Sequence, residues 1–432
     1  MAGVENLVQG LNAPVAVIGG GWAGLACAVT LAAAGQPVVV HESAKQLGGR
    51  ARRVDWHGTA IDNGQHLMVG AYRETLGLMR QLGVQTGLEA HPLNLQLPGF
   101  HLRLPRLPAP LHLALGLMRA QGLNWGEKQA AARFMQGLKA QAFTLPHDMP
   151  VSALLAGQPA GLIEKLWAPL CVAALNTRVH EASAQVFCNV LRDSLMGPRH
   201  ASDLIFNRGD LGRLLPDTAR HFLLTRGCPV HLASRIRALH GQGGSFTLGD
   251  DARAFRTVVI ATHPAQVSAL LANRPELAPL CEQLARFTWQ PILTCWLRFA
   301  RPLAFPFPMI GLGPGQAPWA FERNDLADGM VSIVESAEGP HLHLSAETLR
   351  THYLHKLTDT LGPLPPLLDW TCITEKRATF TCSPDMARPA HTTALPGLYL
   401  AGDYTEGPYP ATLEGAVASG VKCARLILEQ HS

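Results

Sequence analysis

The sequence has few charged residues and no dense run of one charge. Of its 432 residues, 16% are Asp, Glu, Lys or Arg, and the formal net charge is +4. Proteins that hold nucleic acid by its phosphates need a concentrated basic patch or stripe, so we expect no nucleic-acid partner. The hydrophobic content of 47% instead predicts a globular chain with a large buried core, long enough for two domains.

The chain also lacks paired cysteines and a secretory leader. Its nine cysteines are odd in number and contain no CxxC pair, which favours reduced, mostly buried thiols. The opening text, MAGVENLVQGLNA, has neither the basic start nor the apolar run of a signal peptide. We therefore expect a cytoplasmic protein. The closely spaced His341 and His343 have no Cys, Asp or Glu at ligand spacing, so we expect no metal site.

An uncharged stretch from Pro14 to Val40 is long enough to cross a bilayer. A membrane span is nevertheless not expected, because β-branched residues cluster at the two ends and Gly35-Gln-Pro37 interrupts the run. The pattern instead predicts a strand over 15–18, a tight turn, a helix that ends at Gly35, and a second strand over 38–40. This order is typical of the βαβ unit that binds dinucleotides.

Three glycines in this unit stand at the GxGxxG spacing of a dinucleotide site. Gly19 allows a sharp turn, Gly21 allows the backbone to approach a pyrophosphate, and Gly24 allows the helix to pack close to the strand. The helix N-terminus offers free N–H groups to the phosphates. Glu42, at the end of the second strand, is placed to bind the adenosine ribose hydroxyls, which favours an unphosphorylated ribose.

Two further glycine motifs indicate which dinucleotide is bound. Residues 47–51 read LGGRA, which is either a second pyrophosphate contact or a plain loop. Residues 397–403 read GLYLAGD and residues 410–416 read PATLEGA, a strand followed by the start of a helix. Together these motifs resemble the flavoprotein superfamily of amine oxidases and carotenoid desaturases. The resemblance implies FAD. It also implies that the N-terminus of the helix starting in PATLEGA stabilises negative charge on the reduced flavin.

The resemblance also implies an α/β fold, with a Rossmann-like FAD-binding domain, discontinuous in sequence, and an inserted α+β substrate domain. The expected FAD-binding domain comprises residues 1–85, 200–265 and 381–432, and the substrate domain residues 86–199 and 266–380. Within the latter, WAPLCVAALN at residues 167–176 is expected to line or support a hydrophobic tunnel. The residues expected at the cofactor are Gly19, Gly21, Trp22, Ala23, Gly24, Glu42, Gly48, Gly49, Arg50, Gly64, Gln65, His66, Ile236, Gly402, Asp403, Ala411, Thr412 and Leu413.

The phrase IDNGQHLMVG at residues 61–70 narrows the resemblance. It is similar to the squalene-associated FAD-dependent enzymes, the hydroxysqualene dehydroxylases of bacterial squalene and hopanoid biosynthesis. This implies that reduced flavin N5 delivers hydride to the allylic carbon of hydroxysqualene as water leaves, which gives squalene. Loss of water needs a proton donor, and the candidates are His66, Tyr404, Tyr409 and Glu414. His66 is also explained as a polar loop residue, and Glu414 as a helix-start residue bonded to backbone.

Two other functions stay open at this point. A carotenoid or phytoene-type desaturase would use the flavin in the oxidising direction, and a non-catalytic prenyl carrier of the same fold would bind without chemistry. A long-chain isoprenoid is the expected ligand in each case. The Leu-rich, Pro-interrupted segment 107–117 is interpreted either as core or as a surface that touches a membrane interface. The second interpretation predicts peripheral attachment to the inner face of the cell membrane.

Overall fold

The computed structural model describes residues 13–84, 86–242, 245–249, 251–314 and 317–431. The expectation that no signal peptide precedes the first strand concerns mainly residues 1–12, which lie outside these ranges. The helices are α1 (Trp22–Ala33), α2 (Arg73–Gln81), α3 (Leu111–Arg119), α4 (Trp125–Ala140), α5 (Val151–Leu154), α6 (Ala160–Leu162), α7 (Ala168–Leu175), α8 (Ala184–Leu195), α9 (Leu211–Leu214), α10 (Pro216–Leu224), α11 (Pro264–Leu270), α12 (Ala278–Ala285), α13 (Ala346–Leu361) and α14 (Leu413–His431).

The strands are β1 (Val15–Ile18), β2 (Val38–His41), β3 (Arg53–Trp56), β4 (Thr59–Asp62), β5 (Met68–Val69), β6 (Leu88–His91), β7 (Asn94–Leu97), β8 (Phe100–Arg103), β9 (Leu204–Asn207), β10 (Val230–His231), β11 (Leu239–Gln242), β12 (Ser245–Leu248), β13 (Asp251–Phe255), β14 (Val258–Ile260), β15 (Trp289–Phe299), β16 (Met309–Gly311), β17 (Trp319–Glu322), β18 (Met330–Ser336), β19 (Leu367–Phe380) and β20 (Leu398–Leu400). One π-helical turn, Ile163–Trp167, precedes α7.

A parallel sheet of five strands, in the order β10-β2-β1-β14-β20, carries the turn predicted to bind the cofactor. Its strands read as continuous apolar runs because both faces of the sheet are covered. Val15 and Val17 pack with α1 and α14 on one face, and Ala16 and Ile18 join the core that includes β12 on the other. The sheet therefore unites segments from both ends of the chain and from its middle.

A second, antiparallel sheet in the order β16-β17-β18-β15-β19 lies in the part of the chain predicted to bind substrate. Alternate residues of a strand face opposite sides of a sheet. Accordingly, Leu293 packs in the core with Tyr353 of α13, whereas its neighbour Ile292 lines a large cavity. One face of this sheet thus forms a wall of the candidate site. The fold class expected from the sequence is confirmed, and the domain boundaries stay a prediction.

Several sequence-based expectations about local structure were wrong. The sequence predicts one helix over 211–224, but Pro216 divides this stretch into α9 and α10, because proline fits the first turn of a helix and not its interior. The sequence also predicts a strand over 236–239, but β11 starts only at Leu239. The last helix begins at Leu413 rather than at Pro410, and the Thr412 hydroxyl accepts a hydrogen bond from the Gly415 amide.

The expectation that all the cysteines are reduced was also wrong. Cys295 of β15 and Cys372 of β19 are paired residues on adjacent antiparallel strands, and they form a disulfide. Their side chains lie on the same face of the sheet, directly opposite each other, which brings cross-strand Cβ atoms close together. The remaining seven thiols are free, and all but Cys281 are buried. Among the described residues, no helix is both long and apolar enough to traverse a bilayer.

Candidate cofactor and substrate site

A cavity of about 900 Å³ opens at the carboxyl ends of β1, β2, β14 and β20. In open parallel sheets, ligands bind outside the carboxyl ends of the strands. One end of the cavity is lined by backbone and polar groups of the β1–α1 turn, and the other by aliphatic and aromatic side chains. The site therefore combines a polar compartment with an apolar one.

The three glycines of the β1–α1 turn differ in what surrounds them. Gly19 has a φ of +115°, and a Cβ placed on it would lie 2.5 Å from the Ala261 carbonyl oxygen. A Cβ on Gly24 would lie 2.0 Å from the Gly19 oxygen, because α1 packs against the turn. A Cβ on Gly21 would have only the Gly49 Cα near it, at 3.8 Å. Gly19 and Gly24 are thus required by the protein itself, whereas Gly21 faces open space.

The second glycine pair lies against the first. The Gly48 amide donates to the Gly20 carbonyl at 2.9 Å, and Gly48 and Gly49 both have positive φ angles. The LGGRA segment therefore lines the polar compartment beside the β1–α1 turn. This position favours a role in the site over a plain loop. Glu42 fixes the turn from the other side, since its Oε2 accepts from the Gly20 amide at 2.7 Å and its Oε1 from the Ala44 amide at 2.7 Å.

Arg50 joins the two ends of the chain. Its Nη2 donates to both carboxylate oxygens of Asp403 at 2.7 Å, and its Nη1 donates to the Ala378 carbonyl at 2.8 Å. Gly402 is held in turn, because its amide donates to the Ser419 hydroxyl at 2.7 Å. The guanidinium predicted to meet a pyrophosphate is therefore engaged mainly with protein groups on the C-terminal side of the site.

The loop that carries Gln65 and His66 is fixed by a buried arginine. The Gln65 Oε1 accepts from the Arg323 Nη1, and Arg323 also pairs with Asp325 at 3.1 Å and with Asp62 at 3.6 Å. Asp62 is fully buried, and only its Oδ1 has a hydrogen-bond partner among the described residues, the Leu211 amide at 2.7 Å. Burial raises the pKa of Asp62 to about 6, although Arg323 acts to lower it.

The His66 ring has a defined tautomer when neutral. Its Nδ1 lies 2.7 Å from the Gly64 carbonyl oxygen, which can only accept, so Nδ1 carries the proton and Nε2 is an acceptor. Burial lowers the pKa of His66, and the positive charge of Arg50 adds to the effect, against the opposing influence of the Gly64 hydrogen bond. At neutral pH His66 is therefore suited to accept a hydrogen bond rather than to donate a proton.

Glu414 has both carboxylate oxygens engaged. Oε1 accepts from the Glu74 amide at 3.0 Å and Oε2 from the Thr75 amide at 2.9 Å, which caps the N-terminus of α2. Burial raises the pKa of Glu414, while these two hydrogen bonds lower it. The geometry favours the structural interpretation of this residue over a role as proton donor.

Three buried polar atoms that belong to cavity-lining residues have no hydrogen-bond partner among the described residues: Thr262 Oγ1, His263 Nε2 and Tyr404 Oη. Unpaired buried polar groups are rare because they are costly. The His263 Nδ1 accepts from the Ala265 amide, so in the neutral ring Nε2 carries the proton. Burial lowers the pKa of His263 to about 4. Thr262 and His263, with the open space at Gly21, fit a bound polar cofactor.

Of the residues expected at the cofactor or in catalysis, the structure brings all but Gly24 to the wall of this one cavity. Gly24 lies behind the turn, where the close packing of α1 requires it. The individual binding and catalytic roles stay predictions. Thr262 and His263 were not predicted from the sequence, although a signal existed: both come just after the apolar run of β14, at the sheet edge where ligands bind.

The apolar compartment lies between the antiparallel sheet and three other elements, namely the β7 region, α7 and α8. The β7 region contributes Leu93, Leu95 and Leu97, and the two helices contribute further apolar side chains. These are Leu170, Ala173, Ala174, Phe187, Val190 and Leu191. The opposite wall is made of Ile292, Met309, Trp319, Phe321 and Val334. Part of the segment WAPLCVAALN therefore lines the cavity and the rest supports it from behind, as expected.

The fold and the site together define an FAD-dependent oxidoreductase whose cofactor site adjoins an apolar compartment. The sequence model of the family described as flavin-containing amine oxidoreductase matches residues 22–428, and the chain belongs to this family. Solved structures agree on the fold. An oxidoreductase from Methanosarcina mazei superposes with a TM-score of 0.75 at 15% identity, covering 96% of this chain and 100% of that one. Cyclohexylamine oxidase from Brevibacterium oxydans gives 0.70 at 17% identity, covering 97% and 99%.

Curated relatives match over nearly the whole chain. Hydroxysqualene dehydroxylase from Rhodopseudomonas palustris is 30% identical, with 97% of this chain and 99% of the relative covered. The protein of the same name from Sinorhizobium fredii is 27% identical, with 96% and 98% covered. The 15-cis-phytoene desaturase from Narcissus pseudonarcissus is 25% identical, with 96% and 80% covered. The expectations of FAD and of an enzyme are thereby confirmed.

Proposed function

We propose that this protein reduces hydroxysqualene to squalene, with loss of the hydroxyl group as water. One observation carries the proposal: the cavity lined by the expected FAD residues continues into an apolar compartment, as a C30 isoprenoid alcohol beside the cofactor would require. The near full-length similarity to relatives named hydroxysqualene dehydroxylase supports the same substrate.

The reaction requires a hydride, a proton and a dry site. FAD in its reduced form, when bound, supplies the hydride and both electrons. The allylic C–O bond breaks, a C–H bond forms at the same carbon, and one proton converts the departing hydroxide to water. The chain itself must hold the isoprenoid, exclude bulk water, and orient and hydrogen-bond the hydroxyl group. The apolar walls from α7, α8 and the antiparallel sheet support the first two of these roles.

Two residues are suited to form hydrogen bonds with the substrate hydroxyl group. Neutral His66 presents Nε2 as an acceptor, which can orient the substrate O–H. Tyr404 is buried, and burial raises its pKa far above the ordinary value, so its hydroxyl stays protonated and donates. Because the Tyr404 hydroxyl has no partner among the described residues, we assign it the hydrogen bond to the departing oxygen. Glu414 is left with its capping role.

A second function, desaturation of a carotenoid precursor, is supported by the similarity to 15-cis-phytoene desaturases. It would need the same apolar compartment but the opposite electron flow. A non-catalytic prenyl carrier is disfavoured, because the chain belongs to a family of oxidoreductases.

Anaerobic turnover separates the two enzymatic functions. The FAD-loaded protein, reduced with dithionite, is incubated with hydroxysqualene, and the extract is analysed by gas chromatography with mass detection. We expect squalene in proportion to reduced flavin. The parallel arm gives 15-cis-phytoene to the oxidised protein with an electron acceptor. Desaturated product there, with no squalene in the first arm, would replace the proposed function by the second one.

A further inference from the structure

One segment of the chain carries the excess positive charge. Residues 92–147 contain a single acidic residue, Glu127, which is buried in a capping box with Asn124. The basic residues of this segment are Arg103, Arg106, Arg119, Lys128, Arg133 and Lys139. All of them except half-buried Lys128 are exposed. Since the whole chain has a net charge of only +4, this segment is strongly cationic and the rest is close to neutral.

The same segment exposes large apolar side chains. Leu111, Met118 and Trp125 are 59%, 51% and 62% exposed, and they make up half of the large apolar residues that are exposed in the described part of the chain. Leu111 and Met118 are seven positions apart on α3, so they lie on the same side of the helix. The Lys128 ammonium donates to the Met118 carbonyl at 2.9 Å, which holds the first turn of α4, with Trp125, beside the end of α3.

The exposed row rests on a well-packed base. His112, on the opposite side of α3, is 1% exposed, and Leu113 and Leu117 pack against the main core. Gly116 lets the helix approach closely, since a Cβ there would lie 2.4 Å from the Leu104 side chain. The apolar row is therefore a fixed feature of the surface rather than a frayed end.

This surface adjoins the apolar compartment. Lys165 lines the cavity, and its ammonium donates to the Gly122 carbonyl at 2.7 Å, in the loop between α3 and α4. In addition, β8, which contacts α3, pairs with β7, which supplies two of the cavity leucines, Leu95 and Leu97. The wall of the substrate compartment and the exposed row are thus built from neighbouring elements.

We propose that α3 and the first turn of α4 form a docking surface for an anionic lipid bilayer. We define this docking surface by Leu111, Met118 and Trp125, which enter the boundary between headgroups and acyl chains, and by Arg106, Arg119 and Arg133, which face the lipid phosphates. The surface itself does not depend on the substrate. That an isoprenoid passes from the bilayer to the cavity beside it rests on the proposed function.

Charge complementarity favours a lipid occupant over a protein one. The surface combines an apolar row with positive charge alone, because its only carboxylate, Glu127, is buried. Protein interfaces are depleted in charged residues at their centre and have a polar rim. An anionic leaflet offers apolar depth and uniform negative charge.

Vesicle sedimentation tests the proposal with the full-length, FAD-loaded protein. The vesicles are phosphatidylcholine with phosphatidylglycerol, and phosphatidylcholine alone serves as the neutral comparison. The apolar variant is Leu111→Ser/Met118→Ser/Trp125→Ser, and the charge variant is Arg106→Glu/Arg119→Glu. Their matched controls change the three exposed leucines that lie elsewhere and two exposed arginines outside the segment: Leu224→Ser/Leu344→Ser/Leu368→Ser and Arg286→Glu/Arg301→Glu.

We expect the wild-type protein and both controls to sediment with the anionic vesicles, and less so as salt is added. Each docking-surface variant should bind about tenfold more weakly, with an unchanged flavin spectrum and unchanged circular dichroism. Equal binding of variants and controls, or no wild-type binding to anionic vesicles, would overturn the proposal.

Two further outcomes are decisive. If sedimentation velocity shows a wild-type dimer that the apolar variant abolishes, without any lipid binding, the occupant is a second copy and the lipid proposal is wrong. If squalene forms from detergent-dispersed hydroxysqualene while vesicle binding is absent, the docking surface is refuted and the proposed function stands.

Discussion

The guanidinium of Arg50 lies 2.7 Å from both carboxylate oxygens of Asp403, although 353 positions separate the two residues in the chain. The pair ties the LGGRA segment after β2 to the end of β20, so that two glycine motifs from opposite ends of the chain border one polar compartment. Asp403 is 5% exposed and Arg50 is only partly buried. A pair of this kind positions the backbone around the cofactor as well as contributing to stability.

Replacement of Asp403 by Asn should therefore weaken both FAD retention and the fold. Asn cannot replace the charge-assisted hydrogen bonds to Arg50, and we expect a loss of about 2 kcal/mol in the free energy of unfolding. FAD affinity, measured by quenching of flavin fluorescence, should fall about tenfold. The control is Glu406→Gln, at an exposed acid three positions away that pairs with Lys422. If Asp403→Asn matched this control in both measurements, the pair would have no role in assembling the site.

Gly21 and Gly24 should respond differently to replacement by Ala. A methyl group on Gly24 meets the Gly19 oxygen at 2.0 Å, so Gly24→Ala should disrupt the turn and the fold. A methyl group on Gly21 meets nothing closer than 3.8 Å, so the apoprotein should keep its melting temperature while FAD affinity falls by about a hundredfold. The control is Gly137→Ala, in the interior of α4, where nothing lies within 4 Å; it should keep full FAD affinity and slightly raise the melting temperature. Full FAD affinity in Gly21→Ala would show that the backbone there does not approach the cofactor.

Much of the cofactor site could be predicted from sequence because its determinants are local. The turn glycines act through the conformation of their own backbone, and Glu42 stands at the end of the next strand. All of them belong to one strand-turn-helix-strand unit, whose fixed spacing is visible in the sequence. The resemblance then led from that unit to FAD and to the fold class, both of which are confirmed. Local patterns also explain the two wrong element boundaries, at Pro216 and at Leu239. In both places the apolar pattern extends past the point where the helix or strand is interrupted or begins.

The rest of the site depends on contacts between distant segments, which a single sequence does not encode in any local pattern. The capping of α2 by Glu414 joins residues 340 positions apart, and Arg323 reaches Gln65 from the substrate part of the chain. Likewise, Cys295 and Cys372 become neighbours only through the register of β15 and β19. Thr262 and His263 were within reach of prediction, since they closely follow the β-branched, apolar run of β14.

Replacement of Glu414 by Gln should damage the fold and spare the chemistry. Gln has one acceptor oxygen, so either the Glu74 or the Thr75 amide loses its partner, at a cost of about 1 to 3 kcal/mol in unfolding free energy. The rate per bound FAD should stay within a factor of about 2 of the wild-type rate, well short of the loss that removal of a general acid causes. The control is Glu74→Gln, at a half-buried acid in the same turn. A collapse of the rate with unchanged stability would instead make Glu414 the proton donor.

Replacement of Tyr404 by Phe should leave the fold intact and slow the reaction. The Tyr404 hydroxyl is buried without a partner among the described residues, so its removal should leave the melting temperature unchanged or slightly higher. If it donates to the departing oxygen, the turnover rate should fall by about 10²-fold or more. Tyr399→Phe is the matched control, because the Tyr399 hydroxyl donates to Gln430 near the end of α14, and this variant should lose stability and keep its rate. An unchanged rate in Tyr404→Phe would remove this residue from the mechanism.

Asp62 gives the fold a distinct pH dependence. Its pKa is about 6 in the folded protein, against an ordinary value of 3.8, chiefly because it is buried. The folded state therefore binds this proton more tightly than the unfolded state does, so the associated stability is complete below about pH 4 and is lost as the pH rises through 6. The unfolding free energy of the wild type, relative to Asp62→Asn, should fall by about 1 kcal/mol between about pH 5 and about pH 7. Denaturant titrations of both proteins at both pH values measure this difference. A difference for Asp62→Asn that stayed flat or rose with pH would mean that Arg323 outweighs burial at this site.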